Sequence, residues 1–197
     1  MILIMRKLYF VFTLLLLVGL ESFAQEKNPA RFHVALDYHY NLGLRERNSL
    51  FTMKRSEFKM GGNSVHLTFL YHILPRLSAG AGIGIDGYRN PPHTTFPVFG
   101  TVYYRPLKKY LNPYVYTNLG YGLGKRRYGS FASGWLWDAG IGYTKMFARH
   151  FGLNCQLGYN LKQFDVETTV YIDNLPVGSY FIKDIRHSLS FGFGLVF

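Results

Sequence analysis

Four histidines share the polar side of two neighbouring stretches of the chain. His33 and His39 flank Asp37 in the first stretch, and His66 and His72 lie in the second. Antiparallel pairing would bring His33 near His72 and His39 near His66. Zinc needs three or four ligands at about 2.0–2.1 Å, and this spacing does not enforce such convergence. We therefore expect no metal or cofactor, but a hydrogen-bonded polar network of His33, Asp37, His39, His66, His72, Asp86, Asp138 and Arg186.

One pair of adjacent residues, His187-Ser188, has the side chains of a nucleophilic dyad. A serine nucleophile needs a histidine within hydrogen-bond reach. Neighbours in a β-strand point to opposite faces, so this pair cannot form the dyad if it lies in a strand. We assign no catalytic residue and expect a protein that is not an enzyme.

Positive charge is concentrated in two segments of a chain whose net charge is +11. Arginine and lysine are the usual partners of phosphate groups, although a solvated charged surface would have the same composition. The candidate phosphate contacts are Arg45, Arg47, Lys54, Arg55, Lys125, Arg126 and Arg127.

The first 24 residues have the pattern of an export signal. Arg6 and Lys7 precede an apolar run over 8–20, and Ser22 and Ala24 are small residues at a cleavage site. A membrane anchor helix is the alternative, but it needs about 20 apolar residues. We expect residues 1–24 to be a cleaved signal peptide and 25–197 to form one domain.

Apolar and polar side chains alternate with a period of two over eight stretches. These stretches are about as long as a tilted membrane strand of 9–11 residues, whereas strands of soluble proteins average about 5–6. The predicted strands cover 31–43, 64–73, 77–87, 96–105, 113–124, 134–147, 151–162 and 185–197.

The connections between these strands alternate between short and long. Segments 74–76, 106–112 and 148–150 are short, and 44–63, 88–95, 125–133 and 164–184 are longer. Short turns at one rim and long loops at the other are typical of outer-membrane barrels. Alternation continues through 166–172 up to a turn signal at 173–176, which predicts a hairpin protruding beyond the membrane. A hairpin folded over the barrel mouth is the alternative.

The composition separates a membrane barrel from a soluble one. Aromatic residues make up 18% of the chain and charged residues 17%, against about 25% charged in ordinary globular proteins. The polar faces contain small residues and histidine, with almost no Lys or Glu, and aromatic residues gather near the strand ends in two girdles. The sequence therefore predicts an all-β fold, an eight-stranded antiparallel transmembrane up-and-down β-barrel. The girdles are Phe32, Tyr71, Tyr104, Tyr143 and Phe147 at one rim, and Tyr40, Phe96, Tyr121, Trp135 and Trp137 at the other.

The last strand carries alternating residues Phe191, Phe193, Leu195 and Phe197. With the eight strands and the signal peptide, it resembles the small outer-membrane β-barrel superfamily, which includes the OmpA transmembrane domain, OmpX and OmpW. The resemblance implies location in the bacterial outer membrane among lipid and lipopolysaccharide. It also implies recognition of the last strand by the barrel-assembly machinery. That location excludes a nucleic-acid partner, and we expect a monomer.

Eight strands enclose an interior only wide enough for side chains. Five large residues are expected to point inward and fill it. We therefore expect a non-enzymatic barrel with a structural, envelope-integrity or surface-binding role, with basic loops contacting lipopolysaccharide. The alternative is a narrow barrel that transports small apolar ligands, as in OmpW. The expected inward residues are Phe99, Tyr103, Tyr114, Tyr116 and Leu136.

Overall fold

The computed structural model describes residues 32–48, 51–107, 113–124, 133–148, 151–172 and 175–197. The predicted signal peptide at 1–24 and the basic residues Lys125, Arg126 and Arg127 lie outside the described residues. Within the described ranges, no helix is long and apolar enough to cross a membrane.

The described elements are nine antiparallel β-strands. Their bounds are β1 (Phe32–Arg47), β2 (Thr52–Lys54), β3 (Gly61–Leu74), β4 (Leu77–Arg89), β5 (His93–Tyr104), β6 (Tyr114–Gly124), β7 (Gly134–Ala148), β8 (Phe151–Ile172) and β9 (Leu175–Val196). The short β2 pairs with the end of β1, and the other eight pair in chain order. Because β1 pairs with both β3 and β9, these eight close into a barrel. The predicted fold class is confirmed.

The C-terminal strand closes the barrel against β1. Leu36 is the partner of Leu195, and Tyr40 of Phe191. Beyond the ladder, the Val34 amide donates to the Phe197 carbonyl at 3.0 Å. The alternating residues Phe191, Phe193, Leu195 and Phe197 therefore lie in the strand that closes the barrel.

Both predicted aromatic girdles point outward. Each of their ten residues has an exposed side chain, from Trp135 and Trp137 near one rim to Phe32 and Phe147 near the other. Aliphatic residues such as Ile83 and Leu119 are exposed between them. The outer face is thus an apolar belt with aromatic edges.

The inner face combines large rings with glycines. Phe99, Tyr103, Tyr114, Tyr116 and Leu136 are all buried, as predicted. A Cβ atom at Gly82 would lie 2.3 Å from Cζ of Phe99, and one at Gly142 would lie 2.2 Å from Cζ of Tyr114. Glycine is needed at these two positions because the rings already fill the narrow interior of an eight-stranded barrel there.

Two long connections differ from the predicted loops. Strand β1 continues to Arg47, and β3 begins at Gly61, so much of 44–63 is strand. Strands β8 and β9 run to Ile172 and from Leu175, so most of the predicted loop 164–184 is paired strand. The predicted extension of these two strands into a hairpin is confirmed.

Candidate functional site

The lumen is closed near the chain termini by a cluster of tyrosines. The rings of Tyr103 and Tyr114 stack at 4.7 Å, and Tyr116 and Leu70 complete the buried cluster. Gln156 Nε2 donates to the hydroxyl oxygens of Tyr103 at 3.0 Å and Tyr114 at 2.8 Å. These bonds satisfy hydroxyl groups that burial would otherwise leave unpaired.

Asp37 lies directly beyond this cluster. Asn154 Nδ2 donates to its Oδ1 at 2.7 Å. The amide oxygen of Asn154 accepts from the Tyr114 hydroxyl at 2.6 Å and from the Thr144 hydroxyl at 3.1 Å. Asp37 is therefore joined to the tyrosine cluster through one asparagine.

The centre of the lumen is organised around Asp86, which is fully buried. Its carboxylate contacts His66 Nε2 at 2.9 Å, forms an ion pair with Lys162, and accepts from the Thr95 hydroxyl at 3.3 Å. A buried carboxylate is tolerated when an opposite charge and additional hydrogen bonds compensate its lost hydration.

The predicted histidine pairs are in contact. The ring centroids of His33 and His72 are 4.8 Å apart, and those of His39 and His66 are 5.2 Å apart. The eight residues predicted as one network are, however, distributed over several levels of the lumen. Asp138 accepts from Asn160, whereas Arg186 pairs with Glu46 near the outer rim. The His66–Asp86 contact joins a predicted histidine to a predicted carboxylate.

A β-bulge at the end of β1 reverses the faces of the strand. Gly43 is the partner of Ser188 and Arg45 is the partner of His187, so Leu44 is the extra residue. Strict alternation would point Arg45 inward and Glu46 outward. Because of the bulge, Arg45 is exposed and Glu46 is buried.

Glu46 forms a buried ion pair with Arg186 at this outer end. The Arg186 guanidinium also donates to the carbonyl oxygens of Asn90 at 3.0 Å and Pro91 at 3.4 Å. Its Cζ lies 5.2 Å from the ring centroid of Tyr88. The ion pair thus holds the β4–β5 loop over the lumen.

His93 and Asp184 complete this outer cluster, which we call the mouth cluster: Glu46, His93 and Asp184. The three residues offer ligand atoms that all lie within 4.8 Å of one another. Burial raises the pKa of Glu46 to about 7 against the opposing effect of Arg186, and burial also raises the pKa of Asp184. Burial, assisted by Arg186, lowers the pKa of His93 to about 4. His93 is therefore neutral near pH 7.

The candidate phosphate contacts do not all have the same surroundings. Arg45, Arg47 and Lys54 are exposed at the outer rim. The Arg55 guanidinium instead donates a hydrogen bond to the Met60 carbonyl oxygen at 2.6 Å, so it stabilises the backbone of its own loop.

His187 and Ser188 lie on opposite faces of β9. Ser188 is buried in the lumen, whereas His187 is partly exposed and contacts the Tyr159 hydroxyl at 2.5 Å. The pair does not have the geometry of a nucleophilic dyad, as strand geometry predicts.

Two solved structures show the same architecture. The first is the outer membrane protein OprG from Pseudomonas aeruginosa, with 11% identity, a TM-score of 0.54, and coverage of 83% of this chain and 94% of that one. The fold of this chain is therefore similar to that of a small outer-membrane barrel. Neisserial surface protein A matches with 12% identity, a TM-score of 0.50, and coverage of 84% and 98% of the respective chains. No protein-family model matches the barrel, and no curated protein matches it significantly.

Among the described residues, sequence reasoning missed several charged or titratable groups of the lumen, including Glu46, His93, Lys162 and Asp184. His93 and Lys162 fit the alternation of their strands, but His93 precedes the predicted fourth strand and Lys162 ends the seventh. Asp184 fits the alternation of β9, one residue before the predicted eighth strand. Glu46 had no such signal, because the bulge at Leu44 depends on pairing with β9.

Proposed function

We propose that this barrel is integral to the bacterial outer membrane and acts at its extracellular rim as a non-enzymatic binding or envelope-stabilising surface. One contrast carries the proposal. The outer face is an apolar belt, and the lumen is filled by side chains and buried ion pairs. Such a belt suits hydrocarbon, and a filled lumen leaves the rim as the surface open to partners.

The outward cations of the rim support contact with lipopolysaccharide phosphates. Leu42 is the last outward apolar residue of β1 before the bulge, and Arg45 and Arg47 are the next residues to face outward. Lys54 is the strand partner of Arg45. Cations immediately beyond the apolar belt would lie at the level of lipid headgroups, where phosphate groups would be their partners.

Charge reversal tests this contact. In the double variant Arg45→Glu/Lys54→Glu, we expect the affinity of the detergent-solubilised barrel for purified lipopolysaccharide to fall at least about tenfold. The control, Arg76→Glu/Lys145→Glu, makes the same charge change at the opposite rim and should alter the affinity less than about twofold. Heat-modifiable gel mobility checks that each variant folds. Equal losses in both variants, or none in the first, would contradict lipopolysaccharide contact at this rim.

The β8–β9 hairpin supports binding of a second kind of partner. Within the described residues, β9 pairs with β1 only as far as Ile185, and its part from Leu175 to Asp184 pairs with β8 alone. A free strand edge can accept another strand. This edge therefore favours an extended peptide segment as the occupant.

Transport of small apolar ligands is the alternative, and the lumen gives it little support. Asp86, Lys162 and Arg186 are buried across the path, and an apolar ligand would have to displace these ion pairs. Planar-bilayer recordings should show no stable conductance, and outer-membrane fractionation should recover the barrel. A large stable conductance would favour the transport alternative.

A further inference from the structure

Each residue of the mouth cluster has one buried polar atom without a hydrogen-bond partner among the described residues. These atoms are Oε1 of Glu46, Nε2 of His93 and Oδ1 of Asp184. The side chains of Glu46 and His93 are 1% and 10% exposed, and Asp184 is 7% exposed. The atoms of Glu46 and His93 are 4.0 Å apart. Leaving buried polar atoms unpaired is destabilising, so three such atoms in one cluster require an explanation.

The other carboxylate interactions of the cluster hold these atoms in place. Arg186 Nε donates to Oε2 of Glu46, and Asn48 hydrogen-bonds the Asp184 side chain. The other unpartnered oxygens among the described residues belong to uncharged groups, the amides of Asn41 and Asn160 and the hydroxyl groups of Tyr88 and Ser188. The mouth cluster is the one group of three metal-ligating residue types that converges in the described part of the chain.

We propose that Glu46, His93 and Asp184 bind one divalent transition-metal ion of the zinc class at the outer mouth of the lumen. An imidazole nitrogen with carboxylate oxygens suits zinc, whereas calcium and magnesium prefer oxygen ligands alone. Tetrahedral zinc at about 2.0–2.1 Å places its ligands roughly 3.4 Å apart. Ligand atoms that lie up to 4.8 Å apart would therefore have to approach each other by at most about 1.4 Å.

The charges near the site are compatible with a divalent cation. The two carboxylates balance the charge of the ion, although Glu46 is also the ion-pair partner of Arg186. The remaining positive charge of Arg186 is met by the carbonyl oxygens of Asn90 and Pro91 and by the Tyr88 ring. Arg186 would act as a positioning residue that fixes the orientation of Glu46.

The ion would join strands from opposite sides of the barrel. Glu46 and Asp184 belong to the adjacent strands β1 and β9, whereas His93 begins β5 across the lumen. Metal binding would therefore fasten the β4–β5 loop across the mouth. This site differs from the histidine pairs of the lumen, and it does not depend on lipopolysaccharide binding.

Zinc titration of the folded full-length barrel in detergent tests the site. Calorimetry should give one bound ion, and calcium should not compete. His93→Gln and Asp184→Asn should each weaken zinc binding at least about tenfold. The controls His33→Gln and His187→Gln should leave the affinity within about twofold.

Several results would overturn the proposal. These are wild-type binding weaker than about 1 mM, retained binding in both mouth variants, or binding lost in His33→Gln. Gel mobility establishes folding independently, so absent zinc binding by a folded barrel refutes the site without refuting the outer-membrane proposal. If His93→Gln does not fold, the nearly isosteric Asp184→Asn decides the outcome.

Discussion

Buried carboxylates have more hydrogen-bond and ion-pair partners in the centre of the lumen than at its outer mouth. In the centre, Asp86 has Lys162, His66 and Thr95 as partners. At the mouth, Glu46 and Asp184 each keep one buried oxygen without a partner in the described structure. Removing one partner of a compensated buried charge destabilises the fold. Buried atoms without a hydrogen-bond partner can instead bind a ligand. The comparison indicates that the centre supports the barrel and the mouth is suited to binding.

The largest expected effect on the free energy of unfolding comes from comparing two single variants, one that neutralises Asp86 in the centre and one that neutralises Asp184 at the mouth. Asp86→Asn should lower the free energy of unfolding by about 3–5 kcal/mol, because Lys162 would remain charged and buried without its counterion. Asp184→Asn should change it by less than about 1 kcal/mol, because one oxygen of Asp184 already lacks a partner. Urea unfolding followed by heat-modifiable gel mobility measures both.

A double variant tests the cause of that effect. Asp86→Asn/Lys162→Met removes the uncompensated charge and should recover part of the stability that Asp86→Asn loses. Equal destabilisation by Asp86→Asn and Asp184→Asn would remove the distinction between centre and mouth.

Packing provides the second contrast. Gly82→Ala should destabilise the barrel by about 1–3 kcal/mol, because its Cβ would lie 2.3 Å from the Phe99 ring. Gly178→Ala, in the hairpin, is the matched control because its Cβ would meet nothing within 4 Å. Adding Phe99→Leu to Gly82→Ala should recover part of the lost stability, because the smaller side chain removes the clash. If that addition has no effect in urea unfolding, the clash with Phe99 is not the cause.

Two tyrosine hydroxyl groups give a smaller contrast between the lumen and the outer face. Tyr114→Phe removes a buried hydroxyl that donates to Asn154 and accepts from Gln156, and should cost about 1–2 kcal/mol. Tyr38→Phe removes an exposed donor to Asn63 and should cost less than about 0.5 kcal/mol. Equal costs in urea unfolding would show that burial does not distinguish these bonds.

The smallest effect is expected at the tip of the hairpin. Replacing 170–179 with Asn-Gly, which favours a tight turn, should leave the midpoint of urea unfolding unchanged, because the strand partners of the described residues in this segment all lie within the hairpin. Failure to insert into lipid vesicles would instead show that the hairpin takes part in assembly.

Much of the barrel could be predicted because alternation is a local property. The inward positions of Phe99 and Tyr116 and the outward positions of Tyr40 and Trp135 follow from it. The histidine contacts followed from the expected pairing of two strands. The mouth cluster could not be predicted, because its members come from β1, β5 and β9, far apart in the sequence.

The sequence by itself determined which side chains share a face of each strand, since successive Cβ atoms point to opposite sides of an extended chain. It also determined that one face is apolar enough for lipid. Only the tertiary structure decided where that rule is broken. The bulge at Leu44 is fixed by the register of β1 against β9, and closure of the barrel brings Glu46 to His93 across the lumen. Both depend on pairing between distant segments, which local alternation does not encode.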